Sequence, residues 1–171
     1  MKQVALDNHV LIWGLREHAS SGQEDMIPRA KDLIAECTKK KTKMMIPAVV
    51  LAELLTAIDN KHHALVHNLI RSSFVVPPFD SASAVTFAKL WQDRQETGVL
   101  ELLKEERSVS KQELKADCFI VATCIAHKAE AIYSHDETLK RFANEAIPVL
   151  EIPRVETQES FSFPPLSAEE G

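Results

Sequence analysis

Four acidic residues stand out by the segments that contain them: Asp7, Glu53, Asp117 and Asp136. Asp7 follows the apolar run VAL, and Asp136 comes just after AIYS, so both lie at the carboxyl end of a predicted strand, where open α/β sheets bind ligands. Four carboxylates brought together would repel each other without a counter-charge, and oxygen-only ligands suit Mg²⁺ or Mn²⁺. The set therefore predicts a divalent metal site that hydrolyses phosphodiester bonds by lowering the pKa of a bound water.

Each carboxylate also has a structural explanation. Asp7 could cap the helix that follows it, and Asp117 could cap the uncharged helix ADCFIVATCIAHKA, where the helix dipole would stabilise its charge. Glu53 is harder to explain in this way, because the segment IPAVVLAELLTAI surrounds it with apolar residues. An unpaired buried carboxylate is costly, which favours a polar cleft around Glu53 over a distant ion pair.

Three further polar residues are candidates for substrate binding or for support of the carboxylates. Ser134 lies two residues before Asp136 and could hold a carboxylate or a metal-bound water, and a plain strand-end turn explains it equally well. Asn8 follows Asp7 and could hydrogen-bond in the site. Lys115 could reach a substrate phosphate or lower the pKa of a carboxylate.

The chain alternates short β-rich runs with longer helical segments, which predicts an α/β domain with a mostly parallel sheet. Predicted strands cover 2–6, 44–46, 74–76, 131–133 and 147–152, and predicted helices cover 8–16, 28–37, 49–58, 61–71, 82–95, 117–129 and 137–143. The segment 101–115 carries charges of both signs and fits either an exposed helix or a loop. We expect one domain over residues 1–153 and an acidic, poorly ordered tail over residues 154–171.

The composition narrows the class of protein. The three cysteines are odd in number and form no CxxC pair, which argues against a disulfide framework and for a reducing cytoplasm. Neither a signal peptide nor a membrane span is evident, so we expect a cytoplasmic protein. The four glycines form no GxGxxG motif and no P-loop. Much of the net charge of −5 lies in the tail, so nucleic acid would have to be bound through local patches and metal.

The order of these motifs resembles the PIN-domain nucleases, a family that includes the toxin ribonucleases of bacterial toxin-antitoxin pairs. The resemblance rests on LDNHVLIW, IPAVVLAELL, KADCFIVATCIAHKAEAIYSHDETLKRF and IPVLEI, and covers nearly all of residues 1–153. It implies a PIN-like domain whose central sheet has four to five strands with helices on both faces. It also implies an endoribonuclease that uses Mg²⁺ or Mn²⁺, and a homodimer.

The resemblance places the family's four acids on the residues singled out above: Asp7, Glu53, Asp117 and Asp136. As in the family, these would be both catalytic and metal-binding. The chain departs from the pattern after Asp7, where the family usually has a small hydroxyl residue and then Asn. Here Asn8 and His9 follow instead, and we expect this change to affect activity more than the position of the site.

Three functions fit the sequence. The first is a metal-dependent ribonuclease that cleaves RNA, as a toxin neutralised by an antitoxin peptide across the acidic cleft. The second is a catalytically weak or silent PIN-like module that dimerises or binds a partner or RNA. The third is a phosphatase or phosphoacceptor with Asp7 as its nucleophile, although the DxD pattern expected for that chemistry is missing.

Overall fold

The computed structural model describes residues 2–154 of the chain. At its centre is a parallel sheet with the strand order β2-β1-β3-β4, formed by β1 (Gln3–Leu6), β2 (Lys43–Met45), β3 (Ala131–Tyr133) and β4 (Val149–Leu150). Val4 pairs with Met44 on one side and with Ala131 on the other. The predicted α/β fold with a parallel sheet is confirmed. Residues 155–171, which make up most of the expected acidic tail, lie outside the described residues.

Eight α-helices surround the sheet in residues 2–154: α1 (Asn8–Gly14), α2 (Met26–Lys39), α3 (Ala48–Thr56), α4 (His63–Ser73), α5 (Ser81–Glu96), α6 (Val99–Arg107), α7 (Lys111–Ala126) and α8 (Glu137–Ala143). Short 3₁₀ turns add Asn60–His62 and Asn144–Ala146. Most of these helices agree with the predicted ones to within a few residues. The exceptions lie in the charged segment before Asp117.

Two predicted strands are much shorter than expected. Of the segment 74–76, only Val75 pairs with the sheet, through a single bridge to Met45. The two prolines that follow have no N–H groups with which to extend a ladder. The predicted closing strand 147–152 likewise shortens to β4, which directly follows a proline and lies at the edge of the sheet.

The charged segment 101–115 forms parts of two helices. The chain turns at Ser108, which has a left-handed φ of 55°, and α7 then begins after Ser110. The Glu113 N–H donates to the Ser110 hydroxyl at 3.2 Å, and the Ser110 N–H donates to the Glu113 carboxylate at 2.6 Å. This capping box satisfies the free N–H groups at the helix start. As a result α7 begins at Lys111, well before the predicted start at Asp117.

The apolar interior lies between the sheet and the helices. Leu6 of β1 and Ile132 of β3 are fully buried in it. The cysteines Cys37, Cys118 and Cys124 are also buried there and are free. Within residues 2–154, no helix is both long enough and apolar enough to cross a membrane.

A buried arginine ties α5 to α8. The guanidinium of Arg94, a residue only 6% exposed, donates from Nε to the Phe142 carbonyl oxygen at 2.6 Å and from Nη2 to the Ala143 carbonyl oxygen at 2.9 Å. It also pairs with the Asp93 carboxylate. The last carbonyl groups of a helix have no partners within that helix, so Arg94 supplies donors that α8 lacks. Since α8 begins directly after Asp136, Arg94 helps to fix the helix that follows a candidate site residue.

Replacement of Arg94 by leucine should lower the free energy of unfolding by about 2–4 kcal/mol, because buried carbonyl groups of α8 lose charged donors. Urea unfolding at 25 °C measures this change. The matched control is Arg71→Leu, at an exposed position of α4, which should cost less than about 0.5 kcal/mol. Equal costs for the two variants would show that the Arg94 contacts do not hold α8.

Candidate active site

The four acids singled out from the sequence line one cavity of about 320 Å³: Asp7, Glu53, Asp117 and Asp136. They come from the end of β1, from α3, from α7 and from the start of α8. The aspartates at the two strand ends meet because β1 and β3 are parallel neighbours, in which Leu6 pairs with Tyr133. The remaining polar residues that line the cavity are Asn8, His9, Glu113 and Thr138.

Ser134 links the carboxylate of Asp7 to the backbone of Asp136. Its buried hydroxyl donates to Oδ2 of Asp7 at 2.7 Å and accepts from the backbone N–H of Asp136 at 3.0 Å. Oδ1 of Asp136 in turn accepts from the N–H groups of Thr138 and Leu139 at 2.7 and 3.2 Å, which caps α8. Ser134 therefore holds the Asp7 carboxylate, which is one of the two roles that the sequence suggested for it.

The helix-cap explanation does not account for the side chain of Asp7. Asp7 precedes α1, but its carboxylate forms no capping hydrogen bond to that helix. Its backbone N–H donates to the Tyr133 carbonyl oxygen at 3.1 Å and so continues the pairing of the sheet. Asp7 is only 6% exposed, and its carboxylate lies against Ser134 and His9. Asp7 is therefore more deeply buried than Glu53, which the sequence had singled out for burial.

Asp117 is the seventh residue of α7 and not its first, so the prediction that it opens the helix is wrong. Stabilisation by the helix dipole is confined to the first turn and does not reach it. Burial, together with the nearby charges of Asp136, Asp7 and Glu53, instead raises the pKa of Asp117 to about 8. At neutral pH this carboxyl group therefore keeps its proton in the absence of a cation.

Glu53 is partly buried and faces the same cavity from α3. Burial raises the pKa of its carboxyl group, and the charge of Asp7 raises it further, while His9 acts in the opposite direction. The polar cleft that the sequence favoured for Glu53 over a distant ion pair agrees with this position.

Sequence reasoning missed three residues that line the cavity. His9 was noted only as a departure from a pattern, yet its Nδ1 lies 3.5 Å from Oδ2 of Asp7. The Asp7 carboxylate beside it raises the pKa of His9, against the effect of burial. Glu113 lies four residues before Asp117 on α7, a spacing that places both on one face and could have revealed it. Thr138 carried no comparable signal.

Asn8 and Lys115 have different surroundings. Oδ1 of Asn8 is buried and has no hydrogen-bond partner within residues 2–154, an arrangement that costs about 1–3 kcal/mol unless a cation or water satisfies it. Asn8 also lines the acidic cavity. Lys115 is exposed and does not line that cavity. It lines a neighbouring cavity between α3 and α7.

The donor set of the cavity fits a hard divalent cation. Carboxylates and an unpaired amide oxygen are ligands that Mg²⁺ and Mn²⁺ prefer, and a cation would relieve the repulsion that raises the pKa of Asp117. In the described part of the chain, however, no three His, Cys, Asp or Glu side chains already lie close enough together to hold a metal ion. The side chains would have to move closer to bind one.

Comparison with known proteins relates this fold to a family. A model of the PIN domain matches residues 4–145. VapBC2 from Rickettsia felis, solved bound to a DNA fragment from its promoter, superposes with a TM-score of 0.62 at 13% identity, over 87% of this chain and 98% of that one. DNA-bound VapBC from Salmonella typhimurium superposes with a TM-score of 0.61 at 14% identity, over 90% of this chain and 100% of that one. VapBC-1 from nontypeable Haemophilus influenzae superposes with a TM-score of 0.58 at 13% identity, over 87% of this chain and 97% of that one. Among curated proteins, nothing matches the sequence.

Stability should depend on pH through Asp117. Because its pKa is about 8 in the folded protein and 3.8 in an ordinary aspartate, the unfolded chain ionises this group first, and the free energy of unfolding should fall as pH rises between those values. Asp117→Asn should remove much of that fall, as measured by urea unfolding at pH 4.5 and pH 8 in EDTA. The control is the exposed Asp32→Asn, which should keep the wild-type slope. An unchanged slope in Asp117→Asn would contradict the assignment.

Proposed function

The chain belongs to the PIN-domain family, and from that premise we propose that it is a metal-dependent endoribonuclease that hydrolyses RNA phosphodiester bonds. The observation that carries the proposal is the convergence of four acids from four separate elements on one cavity: Asp7, Glu53, Asp117 and Asp136. Such a cluster destabilises the fold unless it binds positive charge, which gives it a functional rather than a structural explanation.

We assign the same four carboxylates as the ligands of Mg²⁺ or Mn²⁺, with Oδ1 of Asn8 as a further acceptor beside them. When bound, such an ion would supply charge stabilisation for hydrolysis of the phosphodiester. The oxygen of Asn8, which has no donor among residues 2–154, supports this assignment, because a buried acceptor without a donor is rare in folded proteins.

The chain's own residues would orient these ligands. Ser134 holds Oδ2 of Asp7, and its link to the backbone of Asp136 keeps the two strand ends in register. The N–H groups at the start of α8 engage Oδ1 of Asp136 and so fix the direction of that carboxylate. Asp117 has to release its proton before it can act as a ligand, since its pKa is about 8.

We further propose that the chain is the toxin of a toxin-antitoxin pair and forms a homodimer in the cytoplasm. The support is the family, together with the fold shared with the VapBC structures. The antitoxin would present basic side chains to the acidic cavity, since an interface there requires charge complementarity. A small protein that co-purifies with this chain and inhibits its cleavage of RNA would support this assignment.

A second candidate function is a catalytically silent PIN-like module that binds a partner. The observation that favours it is that no three potential ligands within residues 2–154 are already arranged around a metal position. Isothermal titration of the wild-type protein with Mn²⁺ separates the two candidates. Absence of binding would favour the silent module.

Asp7→Asn should lower the cleavage of RNA in Mg²⁺ or Mn²⁺ by roughly 100-fold or more, because it removes a charge from the metal site while it keeps the side-chain shape. Gel analysis of a labelled single-stranded RNA measures this loss. Asp32→Asn, an exposed aspartate on α2, is the matched control and should cleave at the wild-type rate. Cleavage that survives in Asp7→Asn, or that persists in EDTA, would refute the proposed site.

A further inference from the structure

A second cavity, of about 430 Å³, lies directly beside the acidic one between α3 and α7. It is lined by Val49, Ala52, Glu53 and Thr56 of α3 and by Gln112, Lys115, Ala116 and Phe119 of α7. Within each set the residues are three or four positions apart, so each helix presents one face to this α3–α7 groove. Glu53 and Ala116 line both cavities, so whatever fills the groove lies next to the acids.

The groove is mainly apolar and contains an aromatic ring, with the polar side chains of Gln112 and Lys115 among the residues that line it. Phe119 is partly exposed. The centroid of its ring lies 4.8 Å from that of Phe79 and 4.6 Å from that of Phe87, so neighbouring rings hold it in place. Gln112 and Lys115 are exposed and line the same groove. A ring for stacking, an amide that can donate and accept, and a cation are the groups that proteins use to bind single-stranded nucleic acid.

We propose that the α3–α7 groove binds one nucleobase of a single-stranded RNA, with the adjoining phosphate over the acidic cavity. This inference rests on the proposed ribonuclease function and specifies its substrate. The base occupies the groove against Phe119, Gln112 faces its polar edge, and Lys115 offsets the charge of a flanking phosphate. A volume of about 430 Å³ lies within the roughly 300–1,000 Å³ of small-ligand sites.

Two features of the groove favour a nucleobase over a protein segment. The groove shares Glu53 and Ala116 with the acidic cavity, where the proposed metal ion would attract a phosphate, and the cation at Lys115 complements a phosphate directly. The base has to be unstacked to enter, so the substrate is a single strand and not a duplex.

Groove-filling substitutions test this proposal through binding. The probe is a fluorescein-labelled, unstructured ten-nucleotide RNA in Ca²⁺, followed by fluorescence anisotropy, with a gel to verify that the RNA stays intact. Ala52→Phe fills the groove from an exposed position and should weaken binding about tenfold, the scale of one lost base–aromatic stack. The matched control Ala64→Phe, at an exposed position of α4 outside both cavities, should change affinity less than about twofold.

A second probe isolates the contribution of the base. The same RNA with its central bases removed should bind wild type and Ala52→Phe equally, because no base remains to enter the groove. If Ala52→Phe fails to fold by urea unfolding, Thr56→Phe at the exposed end of the groove provides the same test.

Several outcomes would overturn the proposal. These are equal affinities of Ala52→Phe and Ala64→Phe for intact RNA, equal weakening of intact and abasic RNA, and no RNA binding by the wild type. A change in oligomeric state with unchanged RNA affinity would assign the groove to a contact between copies of the chain. If the protein cleaves RNA but removal of the bases does not change binding, the ribonuclease function stands and the groove proposal fails. If binding depends on the bases but the RNA is not cleaved, the groove binds a base and the ribonuclease function fails.

Discussion

Carboxylates that face one small cavity repel each other, and burial strengthens the repulsion because it removes the water that would screen them. The effect is visible where the acids meet: burial and neighbouring charges raise the pKa of Asp117 to about 8, and they also raise the pKa of Glu53. Such an arrangement lowers the stability of the fold, so it calls for a cation that the folded protein binds. Asn8, whose buried Oδ1 has no hydrogen-bond partner in the described part of the chain, lines the same cavity.

The rest of the fold maintains this costly arrangement. Parallel pairing of β1 and β3 brings Asp7 beside Ser134, whose hydroxyl holds one carboxylate and the backbone before α8. Arg94 binds the far end of α8, and the capping box at Ser110 starts α7 early enough to carry Asp117 inside a regular helix. Ser134 orients a carboxylate directly, whereas Arg94 and the capping box hold the helices from which Asp136 and Asp117 reach the cavity.

The sequence could predict the parts of the site that depend on local order along the chain. Asp7 and Asp136 follow strands, and the ends of neighbouring parallel strands must meet, so their proximity could be anticipated. The position of Asp117 could not, because the cap at Ser110 was hidden among charges that fit a helix or a loop equally well. The α3–α7 groove could not be predicted from the sequence either, because it forms only when two helices distant in sequence pack together.

In the proposed function, the acidic cavity exchanges a proton for a divalent cation. Calorimetric titration of the wild-type protein with Mn²⁺ at pH 7, repeated in buffers of different ionisation enthalpy, counts the protons released on binding. With a pKa of about 8, Asp117 carries its proton at pH 7, so the wild type should bind Mn²⁺ and release close to one proton more than Asp117→Asn does. Absence of Mn²⁺ binding, or equal proton release by the two proteins, would contradict the account.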